Sequence, residues 1–284
     1  MGHQSPGTIV PNTIFVLRLH PAHDEVHYMR LLRRSVASLS QPIDLRAEVD
    51  AAWDRLEIHG QGIHSTTDGS LFATEALLRW RRNPNELWAA SMVLPIAEET
   101  SRVEECTRWA TELSISTWAT SDRRRHGGRL ALNFHGAQLA RPELAAEVHA
   151  ILETYGVVEG ELLLEIPDHI GPDRCRTAVD HLGPLVDNGA LIALDDHTGT
   201  GSATQPSPNW LPAGSIVKLD PGLIMACDQL DGREILERTA DGLHAEGYVL
   251  VAKAVERPGQ LASIIRCRIV WTQGFLLARP ELLG

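Results

Sequence analysis

Short apolar runs alternate with amphipathic segments from about residue 56 onwards. Eight of these runs have the length and composition of buried strands, and they are Leu56–Ile63, Leu71–Trp80, Leu130–Phe134, Glu161–Ile166, Ala190–Asp195, Ser215–Leu219, Tyr248–Val255 and Ile269–Phe275. Between most of these runs lie segments whose apolar residues recur at helical spacing, namely Ala89–Ile96, Glu104–Leu113, Pro142–Tyr155, Asp173–Asn188 and Glu234–Glu246. Eight strands with mostly helical crossovers predict an α/β protein with a (β/α)8, TIM-like barrel.

The connection between the first two predicted strands differs from the others. It consists only of His64–Ser70, which contains the turn-forming pair Asp68 and Gly69. A connection of hairpin length joins antiparallel neighbours, whereas parallel strands need a longer crossover. We therefore predict that the first strand of the barrel is antiparallel.

The first 44 residues have a different pattern from residues 45–284, where we place the barrel domain. They hold Gly, Pro and His with one short apolar run, followed by the amphipathic segment Asp24–Leu39. This pattern predicts an N-terminal arm and an amphipathic helix, which would serve as a solvated cap or a dimer contact.

Composition argues against several classes of partner and location. The formal net charge of −11 disfavours non-specific binding to nucleic acid or to an anionic membrane. No signal peptide is recognised, and no run approaches the ~20 apolar residues of a membrane span. The four cysteines are scattered without a CxxC pair, which favours free thiols in a reducing compartment. We expect a cytoplasmic protein.

A carboxylate inside an apolar strand is the first sign of chemistry. Glu75 lies in the middle of Leu71–Trp80, and a buried carboxylate is costly unless it is paired or bound to a cation. The later predicted strands end in further polar residues, which are Asn133, Glu165, Asp195, Asp196, Lys218, Lys253 and Gln273. Because the C-terminal ends of barrel strands converge on one rim, we expect these side chains to meet.

Acidic groups gathered at one rim repel one another unless cations lie among them. Oxygen ligands of this kind favour Mg²⁺, Mn²⁺ or Ca²⁺. A lysine beside them, Lys218, would orient a water molecule or a phosphate oxygen. These residues together predict metal-assisted hydrolysis of a phosphodiester.

Nine motifs resemble those of the EAL domain family, the cyclic-di-GMP-specific phosphodiesterases. In chain order they read LEIHGQGI, TEALLRW, LPIAEET, LALNFHGAQL, LLLEIPD, IALDDHTGTGS, IVKLD, VAKAVE and TQGFLLARP. They follow the family's order and spacing from about Leu45 onwards. The resemblance implies a barrel with an antiparallel first strand, and hydrolysis of cyclic di-GMP to the linear dinucleotide.

The resemblance also implies roles for individual residues. One Mg²⁺ or Mn²⁺ would be held by Glu75, Asn133, Glu165 and Asp195, and a second would contact Asp195 and Asp196; Ca²⁺ is expected to inhibit. Catalytic positions would be Lys218, which positions the attacking water, together with Gln273, Asp196 and Lys253. Ligand-binding positions would be Gln61, Leu77, Arg79 and Gln273, of which Arg79 would meet a phosphate.

Three departures from the family pattern bear on activity. Lys253 stands where the family has the first Glu of AEGVE, a ligand of the second metal. Glu256 is offset by three residues, which along a strand directs it to the opposite face. The family's DDFGTGYSS is replaced by DDHTGTGSA, with one residue inserted and the aromatic lost, and Asp168 replaces a Glu that steadies this loop.

Three histidines lie close in sequence to the proposed metal ligands: His135, His169 and His197. His135 and His197 follow Asn133 and Asp195 by two residues, and would share their side if the strands continue. Imidazole ligands would favour a transition metal over Mg²⁺, whereas rim histidines bonded to backbone or solvent are the alternative.

Three functions remain open at this point. The first is an EAL-type phosphodiesterase with weakened activity, and the second is a degenerate EAL domain that binds cyclic di-GMP or a related small nucleotide and signals to a partner. The third is an EAL-like barrel redirected to another metal-dependent reaction. The family resemblance also leads us to expect a homodimer.

Overall fold

Ten strands form a single sheet in the computed structural model, which describes residues 55–199 and 208–284. The strands are β1 (Leu56–Ser65), β2 (Leu71–Asn83), β3 (Glu86–Ala89), β4 (Arg129–Asn133), β5 (Leu162–Pro167), β6 (Leu191–His197), β7 (Ile216–Leu219), β8 (Val249–Ala252), β9 (Trp271–Thr272) and β10 (Glu281–Leu282). Neighbours run in the order β10-β1-β9-β8-β7-β6-β5-β4-β2-β3, and β1 also pairs with β2. The β1–β2 pairing closes an eight-stranded barrel and confirms the predicted TIM-like fold.

The first strand is antiparallel to both of its barrel neighbours, as predicted. β1 pairs antiparallel with β2 in a register that sets Gln61 opposite Glu75, and it pairs antiparallel with β9. The remaining barrel pairs are parallel. The hairpin turn is stabilised locally, because Asp68 accepts hydrogen bonds from the backbone N–H and the hydroxyl of Ser70, and Gly69 has a φ of 73°.

Helices follow most of the parallel strands. They are α1 (Ala90–Glu99), α2 (Val103–Thr120), α3 (Asp122–Arg125), α4 (Gly136–Leu139), α5 (Leu144–Tyr155), α6 (Pro172–Asp187), α7 (Pro221–Ala226), α8 (Leu230–Ala245) and α9 (Pro258–Arg266). Short 3₁₀ turns lie at Glu159–Glu161 and Asp168–Ile170. Proline at the first position of α6, α7 and α9 suits the helix start, where no backbone N–H is needed. None of the described helices has the length and apolar character needed to cross a membrane.

Two apolar layers hold the barrel together. The inner layer is Ile63, Ala73, Ala131, Leu163, Ala193, Ile216 and Val251, contributed by seven different strands. The outer layer lies between strands and helices and includes the buried rings of Trp80 and Trp118. These aliphatic side chains, three of them alanines, fill the narrow interior of an eight-stranded barrel, and burial of both layers supplies the main stabilising free energy.

Some predicted elements differ in extent. The strands predicted at Tyr248–Val255 and Ile269–Phe275 are limited to β8 and β9, because the chain turns at Lys253 and after Thr272. Helix α2 is longer than predicted, while β3, β10, α3, α4, α7 and α9 are additional. The predicted arm, the helix at Asp24–Leu39 and the domain boundary at residue 44 lie outside the described residues.

Candidate active site at the barrel rim

The residues of the rim follow from the two-residue alternation of the strands. In five parallel strands, and at the residue that directly follows β8, a residue of the inner apolar layer precedes a polar residue by two positions; along a strand this spacing directs both toward the barrel interior. The pairs are Ala73 and Glu75, Ala131 and Asn133, Leu163 and Glu165, Ala193 and Asp195, Ile216 and Lys218, and Val251 and Lys253. The inner layer is therefore the floor of a polar site at the C-terminal ends of these strands.

Lys218 lies at the centre of this site. Its Nζ donates to Glu165 Oε1 at 2.5 Å, and lies 3.3 Å from Glu75 Oε2 and 3.4 Å from Asp195 Oδ1. The lysine side chain is fully buried, and that of Glu165 is only 1% exposed. Three carboxylates from β2, β5 and β6 therefore share one ammonium group, which offsets part of the cost of burying them.

Lys253 forms a second ion-pair centre at the same rim. Its Nζ lies 2.8 and 2.9 Å from the two carboxylate oxygens of Asp195 and 2.6 Å from Asp196 Oδ1. The two lysines share Asp195, so the side chains form one connected group. We call Glu75, Glu165, Asp195 and Asp196 with Lys218 and Lys253 the charged cluster.

Two amide side chains donate hydrogen bonds to the carboxylate of Glu75. Asn133, which is exposed, donates from Nδ2 to Glu75 Oε1 at 2.9 Å, and Gln273 donates from Nε2 to Glu75 Oε2 at 2.7 Å. The same Gln273 group also donates to Gln61 Oε1 at 3.2 Å. Residues predicted from distant parts of the sequence thus meet at the rim.

The buried carboxylates of the cluster are of two kinds, two whose pKa is lowered and one whose pKa is raised. Burial raises the pKa of Asp195, but Lys218 and Lys253 outweigh it and bring the pKa down to about 2. For Glu75 the two lysines also outweigh burial and hold the pKa below its usual value. Burial dominates at Glu165, where Glu75 and Asp195 add to it and the pKa rises to about 8 despite Lys218. Glu165 is therefore the carboxylate that most lacks positive charge.

Both ammonium groups stay protonated near neutral pH. Burial lowers the pKa of each lysine, but the surrounding carboxylates raise it above its usual value, well above in the case of Lys218. A lysine held as a cation is a hydrogen-bond donor and a source of positive charge. It is not a general base.

The oxygen-rich side chains fit one divalent cation better than two. Among the described residues, no three His, Cys, Asp or Glu side chains form a ready-made metal site, since the two lysines draw the carboxylates toward themselves. Glu165 Oε2, however, is buried and has no hydrogen-bond partner. A buried anionic oxygen without a partner is costly, and a hard cation beside Glu165 would satisfy it. Both carboxylate oxygens of Asp195 and one oxygen of Asp196 are already bound to Lys253.

The predicted ligand-binding residues lie on the strands that enter this rim. Leu77 and Arg79 continue the alternation of β2 beyond Glu75, and both are half-buried. Arg79 Nη1 donates to the Leu78 carbonyl, and no described acidic side chain lies within ion-pair distance of the guanidinium. Burial lowers the pKa of Arg79, and Glu75 partly opposes this effect. A half-buried guanidinium of this kind is suited to bind an anion.

Gln61 is held in place by the protein itself. Its Nε2 donates to the Ala278 carbonyl at 3.0 Å, while its Oε1 accepts from Gln273. Gln273 Oε1 is buried and lacks a hydrogen-bond partner in the described structure. The two amides therefore join β1, the segment after β9 and Glu75 into one hydrogen-bonded chain.

The three histidines do not join the charged cluster in the described structure. His135 begins α4 and its Nε2 lies 3.0 Å from Glu98, whereas His169 is exposed. His197 is 1% exposed, and its Nδ1 lies 2.9 Å from Asp168 Oδ2. β4 ends at Asn133, before His135, and although β6 continues to His197, its register shifts between Leu194 and His197, so neither histidine keeps the regular alternation. The positions of these histidines therefore give no geometric support to a histidine-bound transition metal.

Some of the residues at which the sequence departs from the family pattern lie in the described part of the chain. Asp168 holds His197, and so ties the 3₁₀ turn after β5 to the end of β6. Glu256 is exposed and follows the end of β8, so the strand-offset argument does not apply to it. Residues 200–207 of the altered loop lie outside the described residues.

Sequence reasoning did not single out Asp220 as a site residue. It caps α7 by accepting from the Gly222 N–H at 2.6 Å, and burial raises its pKa, as do Asp196 and Asp195. Its backbone N–H donates to the His197 carbonyl at 2.9 Å, which places it at the end of β6, next to Asp195 and Asp196. Its position directly after the predicted strand at Ser215–Leu219 was the signal available in the sequence.

Known proteins resemble this chain over the barrel. The model of the EAL domain matches residues 45–280. The cyclic di-GMP phosphodiesterase NbdA of Pseudomonas aeruginosa is 27% identical over 260 residues, covering 88% of this chain and 32% of NbdA. The cyclic di-GMP phosphodiesterase PdeF of Escherichia coli is 24% identical over 211 residues, covering 74% of this chain and 28% of PdeF. The chain thus spans about a third of the length of the curated relatives it matches.

Solved structures share the fold. The phosphodiesterase PaMucR in complex with c-di-GMP aligns with a TM-score of 0.74 at 24% identity, over 84% of this chain and 98% of that one. The FimX EAL domain from Pseudomonas aeruginosa bound to c-di-GMP aligns with a TM-score of 0.74 at 21% identity, over 84% and 97% respectively. Since the family model covers most of the sequence, this chain belongs to the EAL domain family.

Proposed function

We propose that this chain binds cyclic di-GMP at the barrel rim and hydrolyses one of its phosphodiester bonds, giving the linear dinucleotide at a reduced rate. The observation that carries the proposal is the convergence of Glu75, Glu165 and Asp195, from three strands, on Lys218. Relatives named as cyclic di-GMP phosphodiesterases, and EAL structures bound to c-di-GMP, support this substrate.

In this proposal the oxygens of Glu75, Asn133, Glu165 and Asp195 hold one Mg²⁺ or Mn²⁺. The cation, when bound, supplies Lewis-acid activation of water and of the phosphate. The buried oxygen of Glu165 that has no partner is the feature that favours this role. Ca²⁺ takes more ligands in looser geometry than Mg²⁺, so we expect Ca²⁺ to support binding and to suppress turnover.

The remaining residues bind and stabilise the phosphate. Arg79 draws the anionic ligand to the rim with its guanidinium, next to the apolar contact surface of Leu77. Lys218 keeps its proton at Nζ and stabilises the negative charge that develops on phosphate oxygens as water attacks phosphorus and the bond to the ribose oxygen breaks. Gln61 and Gln273 keep Glu75 in place.

A second candidate is a receptor that binds cyclic di-GMP and does not cut it. Lys253 favours this alternative, because its ammonium group binds both aspartates expected to serve a second metal. Two-metal sites clamp both the attacking and the leaving oxygen, so a site that lacks one metal is expected to lose orders of magnitude in rate. The homodimer and the cytoplasmic location remain predictions.

One pair of measurements separates these functions. Calorimetric titration with cyclic di-GMP in Ca²⁺ measures binding, and chromatography after incubation in Mn²⁺ measures the linear product. We expect binding in Ca²⁺ and slow turnover in Mn²⁺, with turnover abolished in Glu75→Gln. Charge reversal at the exposed Arg176, which pairs with Asp173 on α6, is the control and should leave both unchanged.

Each result decides between the functions. Tight binding with no product after long incubation would establish the receptor and contradict hydrolysis. Absence of binding would contradict both candidates.

A further inference from the structure

Lys253 binds the two neighbouring aspartates in the manner of a bridging cation. One ammonium group lies within 2.9 Å of both oxygens of Asp195 and within 2.6 Å of an oxygen of Asp196. The lysine side chain is only 15% exposed. These three oxygens are therefore satisfied by a charge that belongs to the chain itself.

The backbone is specifically arranged for this contact. Adjacent residues of a regular strand point to opposite faces, so Asp195 and Asp196 would not normally reach the same group. Asp196, however, adopts a φ of 59°, and the β6–β7 register shifts at this point. On the other side of the contact Ala254, which follows Lys253, has a φ of 55°. Left-handed conformations are disfavoured for residues other than glycine, so both turns are held by their surroundings.

The charges of the cluster leave room for one further divalent cation. Four carboxylates and two ammonium groups carry four negative and two positive charges, which leaves a net charge of minus two when all are ionised. A glutamate at position 253 would give five negative charges and one positive, a net charge of minus four. One dication balances the first arrangement, and two dications balance the second.

We propose that the Lys253 ammonium takes the place of a second metal ion, so that this site binds a single divalent cation, on the side of Glu165. The proposal deepens the proposed function and rests on its metal site. The unpartnered oxygen of Glu165 marks where positive charge is still needed. Asp195 and Asp196 have no comparable need, because Lys253 already meets it.

The test counts metal ions and does not depend on turnover. Protein stripped with a chelator is titrated with Mn²⁺, and electron paramagnetic resonance of free Mn²⁺ gives the number of bound ions. We expect one ion in the wild type and two in Lys253→Glu, and the two ions of the variant should show the magnetic coupling of a close pair. Lys253→Met removes the charge without adding a ligand, and should bind one ion at least tenfold more tightly.

Charge reversal at Arg176 is the control for a general change in net charge, and should bind one ion with wild-type affinity. Thermal melts of each variant establish that the barrel is folded, and Lys253→Met provides a second variant if Lys253→Glu fails to fold. Two ions in the wild type, or unchanged affinity in Lys253→Met, would overturn this inference while the proposed hydrolysis remains. Absence of any bound ion in the wild type would overturn both.

Discussion

Replacement of Lys218 by methionine is the most direct test of how the rim is held together. Methionine preserves most of the length and apolar volume of the lysine stem but removes the charge. The change leaves Glu75, Glu165 and Asp195 without the ammonium group that they share. Any loss of stability therefore reports electrostatics in the buried site, and a cavity contributes little.

The size of the effect follows from the distances and from burial. At an effective dielectric constant of about 20, a charge pair 3.3 to 3.4 Å apart attracts by roughly 5 kcal/mol. Desolvation of each ion costs several kcal/mol and offsets much of this attraction, and removing one partner of a buried pair is known to cost about 3–5 kcal/mol. We expect this loss for Lys218→Met, which corresponds to a fall in Tm of roughly 6–20 °C for a domain of this size.

Urea unfolding at pH 7 in the presence of a chelator measures the loss. The matched control is Lys253→Met, whose pairs are partly exposed and should contribute less, about 1 kcal/mol. The loss in Lys218→Met should shrink at pH 5. Lys218 holds down the pKa of both Glu75 and Asp195, so without it these two carboxylates take up protons more readily in acid and less unpaired charge stays buried. A saturating divalent cation should also reduce the loss.

Two results would refute this reasoning. A loss below about 1 kcal/mol would mean that the buried carboxylates do not depend on Lys218. An equal loss at pH 5 and pH 7 would mean that unpaired carboxylate charge is not its cause.

Three further predictions concern pH, ligand binding and packing. Glu165 has a folded-state pKa of about 8 against an ordinary value of 4.5, so between these values the folded chain binds a proton that the unfolded chain has lost. In chelator, the contribution of Glu165 to the free energy of unfolding should be fully present below about pH 4.5 and should fall as the pH rises to 8. Urea titrations at several pH values measure this dependence, and Glu165→Gln should remove it. Arg79→Ala should weaken cyclic di-GMP binding at least tenfold in calorimetry without lowering Tm, whereas Arg81→Ala, on the same strand but paired with Glu57, should leave affinity unchanged; equal effects would contradict the assignment. Gly274→Ala should cost about 3 kcal/mol or more, because the new methyl group would collide with neighbouring backbone, whereas Gly259→Ala meets open space and should be neutral or slightly stabilising in the same unfolding assay.

Much of the fold could be predicted because its signals are local. Apolar runs of strand length, and the amphipathic segments between them, can be recognised from the hydrophobic period of each segment alone. The seven-residue connection His64–Ser70 likewise decided that β1 and β2 are antiparallel. Polar residues such as Glu75 and Glu165 were recognisable because they interrupt apolar runs of strand length or lie near their ends.

The same reasoning failed where strands ended. It extended the alternation to His135 and His197, but β4 stops at Asn133, and the left-handed Asp196 changes the side on which His197 lies. It also gave no indication that Asp168 would bind His197, or that Asp220 would lie beside the cluster. The direction in which a side chain points after a strand ends is set by backbone turns and packing, and neither follows a regular repeat in the sequence.

By itself, the amino-acid sequence determined the barrel, its antiparallel first strand and the set of polar side chains at one rim, because burial and the two-residue repeat are properties of each strand alone. Only the tertiary structure decided which charges meet. Lys253 and Asp195 are 58 positions apart, and closure of the barrel brings their strands to the same rim. The partners of each carboxylate depend on how far apart the side chains of separate strands lie, and these distances result from packing of the whole barrel.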